Sequence, residues 1–338
     1  MNSNNHNPNQ HIENAWSGRV QETKLFTVDG VPVRRIAFGT EQLGGYEWGK
    51  IDVAAIERAL IQAVECGVTF FDTADCYGRG ESERRLGAAL GPLRSRAFVS
   101  TKVGVRFDHQ GRVFYDNDPD YVERAFESSL ERLGTDFVDL LQLHWPDGRT
   151  PLPCVFERLE RLRRDGRIRW YGVSNMPLAD IAGLPGEWPG FAAFSLQYSL
   201  VHRHHEALIH ALCATRGLTF LSWGSLAQGL LSGKYGRGTT FGSDDRRSRS
   251  NYANFHGETL KRNLALVESL SRVASRLSGA SAAQVAIRFV LEALPQSIAI
   301  VGVKNEQQFE ENMKALSVPF NQSAFSELDL ASRWTLEA

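Results

Sequence analysis

Polar side chains that can take part in acid–base chemistry lie at the ends of four apolar segments of this sequence. They are Asp72 with Tyr77, Lys102, His144, and Ser174 with Asn175. A carboxylate, a phenol, an ammonium and an imidazole can together hold, orient and transfer a proton. Each residue alone would more commonly have a structural role, such as capping a turn. Their recurrence at corresponding places favours one shared site, provided that the fold brings the four segment ends together.

The elements that would position these residues are short apolar strands alternating with amphipathic helices. The eight predicted strands are 35–40, 68–73, 98–102, 138–144, 169–175, 194–198, 219–223 and 297–302. One helical pattern begins near Asp52 and ends at Gly67, and another begins at Pro119 and ends at Gly134. Two more lie at 257–278 and 281–293. This succession of strands and helices predicts a single-domain α/β protein with the (β/α)8 TIM-barrel fold.

An open, doubly wound sheet is the alternative fold, but its nucleotide-binding fingerprint is missing. The glycines near 78–87 read GRGESERRLG, and Glu83 stands where the third glycine of GxGxxG would fall. The segment GLLSGKY departs from a P-loop because Tyr235 replaces its Ser or Thr. The barrel is therefore favoured. In a barrel, polar residues at the C-terminal strand ends face one active site.

Composition and charge limit the kinds of partner and the cellular compartment that we expect for this protein. The formal net charge of −1 argues against a surface that binds nucleic acid or an anionic membrane. Four cysteines are scattered without a CxxC pair, which predicts free thiols in a reducing cytoplasm. No apolar run is long enough to cross a bilayer, and the Asn-rich N-terminus lacks the apolar core of a signal peptide. We therefore expect a cytoplasmic protein.

Two regions lie outside the strand–helix pattern. Residues 1–22 are polar and are predicted to be a disordered tail, which leaves residues 23–338 for the barrel. Residues 229–258 are rich in Gly, Ser, Arg and Asp and are predicted to be a loop. A loop of this length inside a compact domain is usually functional or mobile.

Seven motifs resemble those of one known family, in its order. They are FFDTADCYGRGESE, STKVG, LLQLHWPD, GVSN, LQYSL, LAQGLLSGKY and VGVKNEQQFEEN. The chain resembles the aldo-keto reductase superfamily over residues 24–335, most closely its bacterial and potassium-channel β-subunit-like branch. The resemblance implies an NAD(P)H-dependent oxidoreductase that reduces an aldehyde or ketone to an alcohol. It also implies that the loop near 229–258 covers the cofactor.

By this resemblance, Asp72, Tyr77, Lys102 and His144 form a catalytic tetrad with Tyr77 as the general acid. A free phenol with a pKa of about 10 is a weak acid, so we expect the Lys102 ammonium to lower the pKa of Tyr77. Asp72 would hold Lys102 charged and oriented. His144 would hydrogen-bond the carbonyl oxygen of the substrate.

The resemblance also implies a set of cofactor-binding residues. Ser174, Asn175 and Gln197 would bind the nicotinamide carboxamide, and Trp223 would stack on the nicotinamide ring. The remaining residues of the set are Gly39, Thr40, Asp72, Gly224, Ser225, Leu226, Gly229, Lys234, Gly302, Lys304, Gln308, Glu311 and Asn312. Among the last of these, Gln308, Glu311 and Asn312 would contact the adenine side.

Lys304 precedes a predicted helix start at which Asn305 and Gln308 have capping spacing. A helix N-terminus attracts phosphate, and Lys304 adds a full positive charge. In the family this corner holds the adenosine 2′-phosphate, so NADPH is expected and NADH is less favoured. Many relatives have Arg at this position, and Lys reads phosphate less specifically.

Two local features do not follow from the resemblance. Glu41 stands where many relatives have Trp, so it either favours a polar or cationic substrate or forms a salt bridge at the rim. The cluster of His202, Arg203, His204 and His205 invites a metal assignment, but adjacent histidines give no recognisable ligand geometry, so no metal site is predicted.

Two other functions stay open at this stage. The tetrad would also serve a keto-sugar or enone reductase of a biosynthetic pathway. A nicotinamide-binding regulatory protein of the channel-β type is the second alternative, although an intact tetrad argues against loss of activity. The expected partner is a small-molecule carbonyl substrate, and a homo-oligomer is possible.

Overall fold

The computed structural model describes residues 22–336. The predicted tail, 1–22, lies outside the described residues except for Glu22, which begins the first strand. The strands are β1 Glu22–Val28, β2 Val31–Arg34, β3 Ile36–Gly39, β4 Phe70–Asp72, β5 Phe98–Val103, β6 Val105–Phe107, β7 Val113–Tyr115, β8 Val138–Leu143, β9 Ile168–Ser174, β10 Phe191–Gln197, β11 Thr219–Trp223 and β12 Ser297–Gly302.

Eight parallel strands close into a barrel in the order β10–β11–β12–β3–β4–β5–β8–β9. These are the eight strands that the sequence predicts, with no end shifted by more than three residues and two strands matching at both ends. The TIM-barrel prediction is confirmed, and the doubly wound alternative is excluded because the sheet is closed. Glu83, which interrupts the glycine fingerprint, is buried and accepts a hydrogen bond of 2.6 Å from Arg132.

The helices are α1 Val53–Glu65, α2 Glu81–Leu90, α3 Pro119–Leu133, α4 Leu152–Arg164, α5 Leu178–Ala182, α6 Glu206–Arg216, α7 Gly257–Ser275, α8 Ala282–Ala293, α9 Glu306–Met313 and α10 Gln322–Ser332. Local signals set several of their ends. Asp118 accepts hydrogen bonds from the first turn of α3, and Ser281 with Gln284 forms a reciprocal capping box before α8. Gly134 ends α3 with a φ of 61°.

The apolar core has two layers. Inside the barrel, Phe70 and Phe98 pack with their ring centroids 4.8 Å apart. Between the strands and the helices, Phe71 packs against Phe38 at 5.8 Å. Successive strand residues point to opposite faces, so the two phenylalanines before Asp72 fix β4 from both sides. This anchoring places the Asp72 side chain at the C-terminal end of the barrel.

Two antiparallel hairpins were not predicted from the sequence. The first pairs β1 with β2, and its Phe26 packs against Phe98 in the inner layer with the ring centroids 4.8 Å apart. The second pairs β6 with β7 beside the C-terminal ends of the barrel strands. Its side chains on β7 are all exposed, so no apolar alternation marks it. Among the described residues, no helix is long and apolar enough to span a membrane.

Candidate active site

A cleft of about 1240 Å³ lies at the C-terminal ends of the barrel strands. Every residue that the sequence analysis assigns to catalysis or cofactor binding lines it: Gly39, Thr40, Asp72, Tyr77, Lys102, His144, Ser174, Asn175, Gln197, Trp223, Gly224, Ser225, Leu226, Gly229, Lys234, Gly302, Lys304, Gln308, Glu311 and Asn312. Typical ligand pockets measure about 300–1,000 Å³, so this cleft is large enough for a long ligand together with a small one.

The centre of the cleft holds a buried ion pair. Lys102 Nζ, at the end of β5, lies 2.6 Å from Asp72 Oδ2 at the end of the neighbouring β4. The same ammonium donates to the Thr73 carbonyl at 2.9 Å, and Ser100 Oγ donates to Asp72 Oδ1 at 3.2 Å. Burial raises the pKa of Asp72, and the charge of Lys102 opposes this shift. Asp72 and the Thr73 carbonyl thus both accept hydrogen bonds from the Lys102 ammonium.

Tyr77 begins a 3-10 turn, Tyr77–Gly80, that lies over this pair. Gly78 has a φ of 56°, and a Cβ at this position would lie 2.3 Å from the Gly44 carbonyl oxygen. The turn can therefore approach the backbone at Gly44 only because residue 78 is glycine. This close contact helps to fix the position of the turn and of the Tyr77 ring, whose centroid is 5.3 Å from Lys102 Nζ.

The expected lowering of the Tyr77 pKa by Lys102 is wrong in this geometry. The pKa of Tyr77 is raised well above its usual value, first by burial and then by the charges of Glu41 and Asp72. The Lys102 ammonium is engaged by Asp72, which offsets its field at the phenol. Tyr77 therefore keeps its proton at neutral pH.

His144 follows β8 and faces the same part of the cleft. Burial, with the nearby Lys102 charge, holds the pKa of His144 well below its usual range, so the imidazole is neutral. Its ring lies edge-on to the Tyr77 ring, with 5.9 Å between the centroids. Cys76 Sγ lies 3.5 Å from His144 Nδ1. No role for Cys76 was predicted from the sequence.

The next strand ends present a cluster of amide and indole groups. Asn175 has a φ of 58°, and its Nδ2 donates to the His144 carbonyl at 3.1 Å and to Ser174 Oγ at 2.9 Å. Trp223 Nε1 donates to Asn175 Oδ1 at 3.2 Å. Gln197 lies beside Gly224, whose φ is 70°. The four residues predicted to surround a nicotinamide ring are therefore neighbours.

A positively charged corner lies at the other end of the cleft. Lys304, Lys234 and Arg247 lie near one another, and the carboxylate of Asp245 accepts a 2.9 Å hydrogen bond from Arg247 Nε. Lys304 Nζ donates to the Trp48 carbonyl at 3.2 Å. Burial, followed by the charges of Arg247 and Lys234, lowers the pKa of Lys304, while Asp245 opposes this shift. Three cations against one carboxylate leave this corner with an excess of positive charge.

The predicted cap at the start of α9 is present. Asn305 Oδ1 accepts from the Gln308 backbone N–H at 2.9 Å, and Gln308 Oε1 accepts from the Lys304 backbone N–H at 3.1 Å. The reciprocal contact thus reaches one residue further back than a standard capping box. It fixes Lys304 relative to the helix start. Glu311 accepts from Gln284 Nε2 at 2.7 Å on the next turn.

The loop near 229–258 joins the 41–49 loop across the cleft through ion pairs. Arg246 pairs with Glu41, and its Nη2 lies 3.2 Å from Glu47 Oε2. Arg249 also pairs with Glu47. The structure thus supports the rim salt bridge for Glu41. Arg246 and Arg247 were not identified from the sequence; the arginine-rich run RRSR in a long loop is the signal that could have suggested them.

The histidine cluster at 202–205 has structural contacts. Arg203 is buried and pairs with Asp329 at 2.6 Å, and His202 Nδ1 lies 3.0 Å from its neighbour's carbonyl oxygen. Within residues 22–336, the group with metal-ligand composition is instead Asp75, Cys76 and His144, whose candidate atoms lie within 4.8 Å of one another. The adjacent Lys102 ammonium opposes a cation there.

The model of the aldo/keto reductase family matches residues 35–333. The chain is 31% identical over 283 residues to aldo-keto reductase YhdN of Bacillus subtilis, covering 83% of this chain and 84% of that protein. It is 32% identical over 307 residues to a probable voltage-gated potassium channel β subunit of rice, Oryza sativa subsp. japonica, covering 86% of this chain and 89% of that one.

Two solved structures are similar over nearly the whole chain. The glycerol dehydrogenase AKR11B4 of Gluconobacter oxydans has a TM-score of 0.83 and 29% identity, covering 95% of this chain and 97% of that one. An aldo-keto reductase of Klebsiella pneumoniae in complex with NADPH has a TM-score of 0.67 and 25% identity, covering 94% and 96%. The family match over most of the sequence and the closed barrel with its lined cleft show that the chain is an oxidoreductase of the aldo-keto reductase family.

Proposed function

We propose that the protein reduces an aldehyde or ketone to an alcohol with NADPH, and that Tyr77 is the proton donor. The observation that carries the proposal is the convergence of Tyr77, His144 and the Asp72–Lys102 pair in one cleft. A carbonyl oxygen that gains negative charge needs a protonated acid and a hydrogen-bond donor beside it. The phenol and the neutral imidazole are groups of these two kinds.

The residues of the cleft fit a nicotinamide dinucleotide. Trp223 and the Asn175 amide lie beside the catalytic groups, while the cationic corner around Lys304 suits phosphate. A Cβ on Gly302 would lie 2.7 Å from Gln42 Oε1, so glycine at this position leaves room for the Gln42 side chain, which also lines the cleft. When bound, the cofactor supplies the hydride, which no side chain can provide. The Klebsiella relative with NADPH supports the same choice.

Each member of the tetrad has a separate task in this proposal. Tyr77 donates its proton as charge develops on the carbonyl oxygen. Lys102, which Asp72 fixes with its ammonium 5.3 Å from the ring centroid, then attracts the phenolate, although the Asp72 carboxylate offsets part of this attraction. His144 donates a hydrogen bond to the same oxygen and sets its angle. The raised pKa of Tyr77 keeps the donor protonated before reaction.

Lys304 supports NADPH over NADH. Its backbone N–H is held by Gln308 at the cap of α9, and its ammonium, which donates to the Trp48 carbonyl, has Lys234 and Arg247 near it. An extra phosphate dianion gains from such a corner, whereas the ribose hydroxyl of NADH does not. Gln308, Glu311 and Asn312 line the cleft beside it and would contact the adenine.

A steady-state screen separates the candidate functions. Purified protein is assayed with NADPH and with NADH against simple aldehydes, ketones, keto sugars and conjugated enones. Turnover of simple carbonyls with NADPH supports the proposal, and turnover confined to keto sugars or enones supports the pathway enzyme. Tight cofactor binding without turnover of any class would support the regulatory alternative, which the rice relative also suggests. Cytoplasmic location and a possible homo-oligomer stay predictions.

A further inference from the structure

Cys76 lines the cleft, and its thiol contacts the imidazole of His144. Its Sγ is 3.5 Å from His144 Nδ1, a hydrogen-bond distance for sulfur, and both residues line the cleft. Because Nδ1 is engaged by the thiol, Nε2 is the ring nitrogen left for a ligand in the cleft. The contact therefore bears on which nitrogen of His144 carries the proton.

The imidazole ring cannot easily turn to change this contact. The Trp145 ring lies nearly parallel to it, with 6.4 Å between centroids and 23° between planes, and the Tyr77 ring lies edge-on at 5.9 Å. Asn175 Nδ2 holds the His144 carbonyl at 3.1 Å. Packing on two sides and a fixed backbone keep Nδ1 toward Cys76.

The charge states of the pair determine the direction of the hydrogen bond. Burial and the charges of Asp75 and Glu41 raise the pKa of Cys76 well above its usual value, while burial lowers that of His144. The pair is therefore a thiol and a neutral imidazole, not a thiolate and an imidazolium. A neutral imidazole has one N–H donor and one acceptor nitrogen, and sulfur is a weak acceptor. The better bond runs from S–H to Nδ1.

We propose that Cys76 is a positioning residue that fixes the tautomer of His144: its thiol donates to Nδ1, which places the ring proton on Nε2. The inference deepens the proposed function and rests on it for its catalytic consequence. With the proton on Nε2, His144 donates to the substrate carbonyl oxygen. The opposite tautomer would present a lone pair to that oxygen and would repel it.

Histidine-selective ¹⁵N NMR of the full chain with NADP⁺ tests the tautomer directly. The His144 signals are assigned by their loss in His144→Gln. We expect a protonated Nε2 and an unprotonated, hydrogen-bonded Nδ1 in the native protein. Cys76→Ser, which retains a donor, should keep this pattern. Cys76→Ala should move the ring toward a mixture of tautomers, whereas Cys66→Ala, an exposed cysteine outside the cleft, should leave it unchanged.

Kinetics supply the second readout. One net hydrogen bond corresponds to roughly a 2- to 12-fold change in rate, so Cys76→Ala should lower kcat by about that factor. The KM for NADPH should not change, and Cys76→Ser should recover most of kcat. A general packing defect would instead alter both parameters and would not be rescued by serine.

Two results would overturn the inference. One is a proton on Nδ1 in the native protein. The other is a Cys76→Ala protein that keeps the Nε2 proton. If the native protein turns over no carbonyl, the proposed function fails, but the NMR experiment still reports whether Cys76 sets the tautomer. Circular dichroism of each variant confirms that it is folded before its spectrum is interpreted.

Discussion

The centre of the cleft and the loops across it hold their charges in different ways. At the centre, the side chains of Asp72 and Lys102 are only 4% and 3% exposed, and both lie at the ends of barrel strands. In the loops, the side chains of Arg246 and Glu41 are 19% and 30% exposed. The first pair is fixed by the sheet, while the second connects two segments that can separate.

This difference predicts opposite sensitivities. Removing one partner of a buried ion pair leaves an uncompensated charge and is strongly destabilising. Exposed pairs contribute little each and are screened by salt. Substitutions at the centre of the cleft should therefore have large effects that salt does not change. Those in the loops and at the cationic corner should have smaller effects that fade as the ionic strength rises.

The largest effect is expected for Tyr77→Phe, which removes only the phenolic oxygen. General acid catalysis is worth roughly 10²–10⁴-fold, so kcat should fall by about that factor while the Kd for NADPH stays unchanged. Tyr121→Phe, a tyrosine outside the cleft, is the matched control and should keep native turnover. Near-native reduction of an aldehyde by Tyr77→Phe would show that another group donates the proton.

The second prediction concerns the stability of the buried pair. Lys102→Met leaves the Asp72 carboxylate buried without its cation, so the free energy of unfolding should fall by about 3–5 kcal/mol at neutral pH. The folded-state pKa of Asp72 is already raised, and losing Lys102 raises it further. The folded variant then binds a proton more readily than the unfolded chain, so its deficit should be small at acidic pH and should grow as pH rises through the carboxyl range.

Urea unfolding at several pH values measures this deficit. The double variant Asp72→Asn/Lys102→Met is the matched control because it removes both charges and leaves no unpaired ion. It should recover much of the lost stability at neutral pH. If the double variant is as unstable as Lys102→Met at every pH, the loss comes from packing and not from the unpaired carboxylate.

The same contrast explains how much could be predicted from the sequence. The ends of β4, β5 and β8 follow apolar runs whose positions are readable, so Asp72, Lys102 and His144 could be placed at one end of a barrel before the structure was known. The pKa of Tyr77 could not be predicted, because it depends on burial and on Glu41, a residue from a different loop.

The contacts of the loops were also beyond prediction. Arg246 pairs with Glu41, which lies 205 residues earlier in the sequence. No periodicity in the sequence links the two segments. The β6–β7 hairpin was missed for a related reason: its strands are three residues long and largely exposed. Cys76 was adjacent to the predicted site, but only the folded geometry shows that its sulfur meets Nδ1 of His144.

An intermediate effect is expected for Lys304→Ala at the cationic corner. A charge-assisted contact is worth roughly 1.5–3 kcal/mol, so the variant should bind NADPH about one to two powers of ten more weakly. Binding of NADH should hardly change, and the difference should shrink at high salt. Fluorescence titration measures both cofactors, and the exposed Lys50→Ala serves as the control. Equal weakening of both cofactors would show that Lys304 does not read the 2′-phosphate.

The smallest effect is expected for Arg246→Gln, which removes two of the three ion pairs described between the two loops over the cleft and leaves Arg249–Glu47. Arg246 pairs with Glu41 and Glu47, and each such partly exposed pair contributes about 0.2–1 kcal/mol. If the paired loops must separate before the cofactor leaves, losing both pairs should speed NADP⁺ release by roughly 2- to 30-fold at low salt. Native release should accelerate with added salt, whereas release from Arg246→Gln should respond less, because only the Arg249–Glu47 pair is left for salt to screen. Stopped-flow fluorescence across a salt series measures both rates.

Arg237→Gln is the matched control, because Arg237 is an exposed arginine in the same loop that does not line the cleft. This variant should behave as the native protein does. Identical salt dependence in Arg246→Gln and native protein would mean that the ion pairs do not restrain the loop, and that the loops differ from the centre of the cleft in exposure but not in mobility.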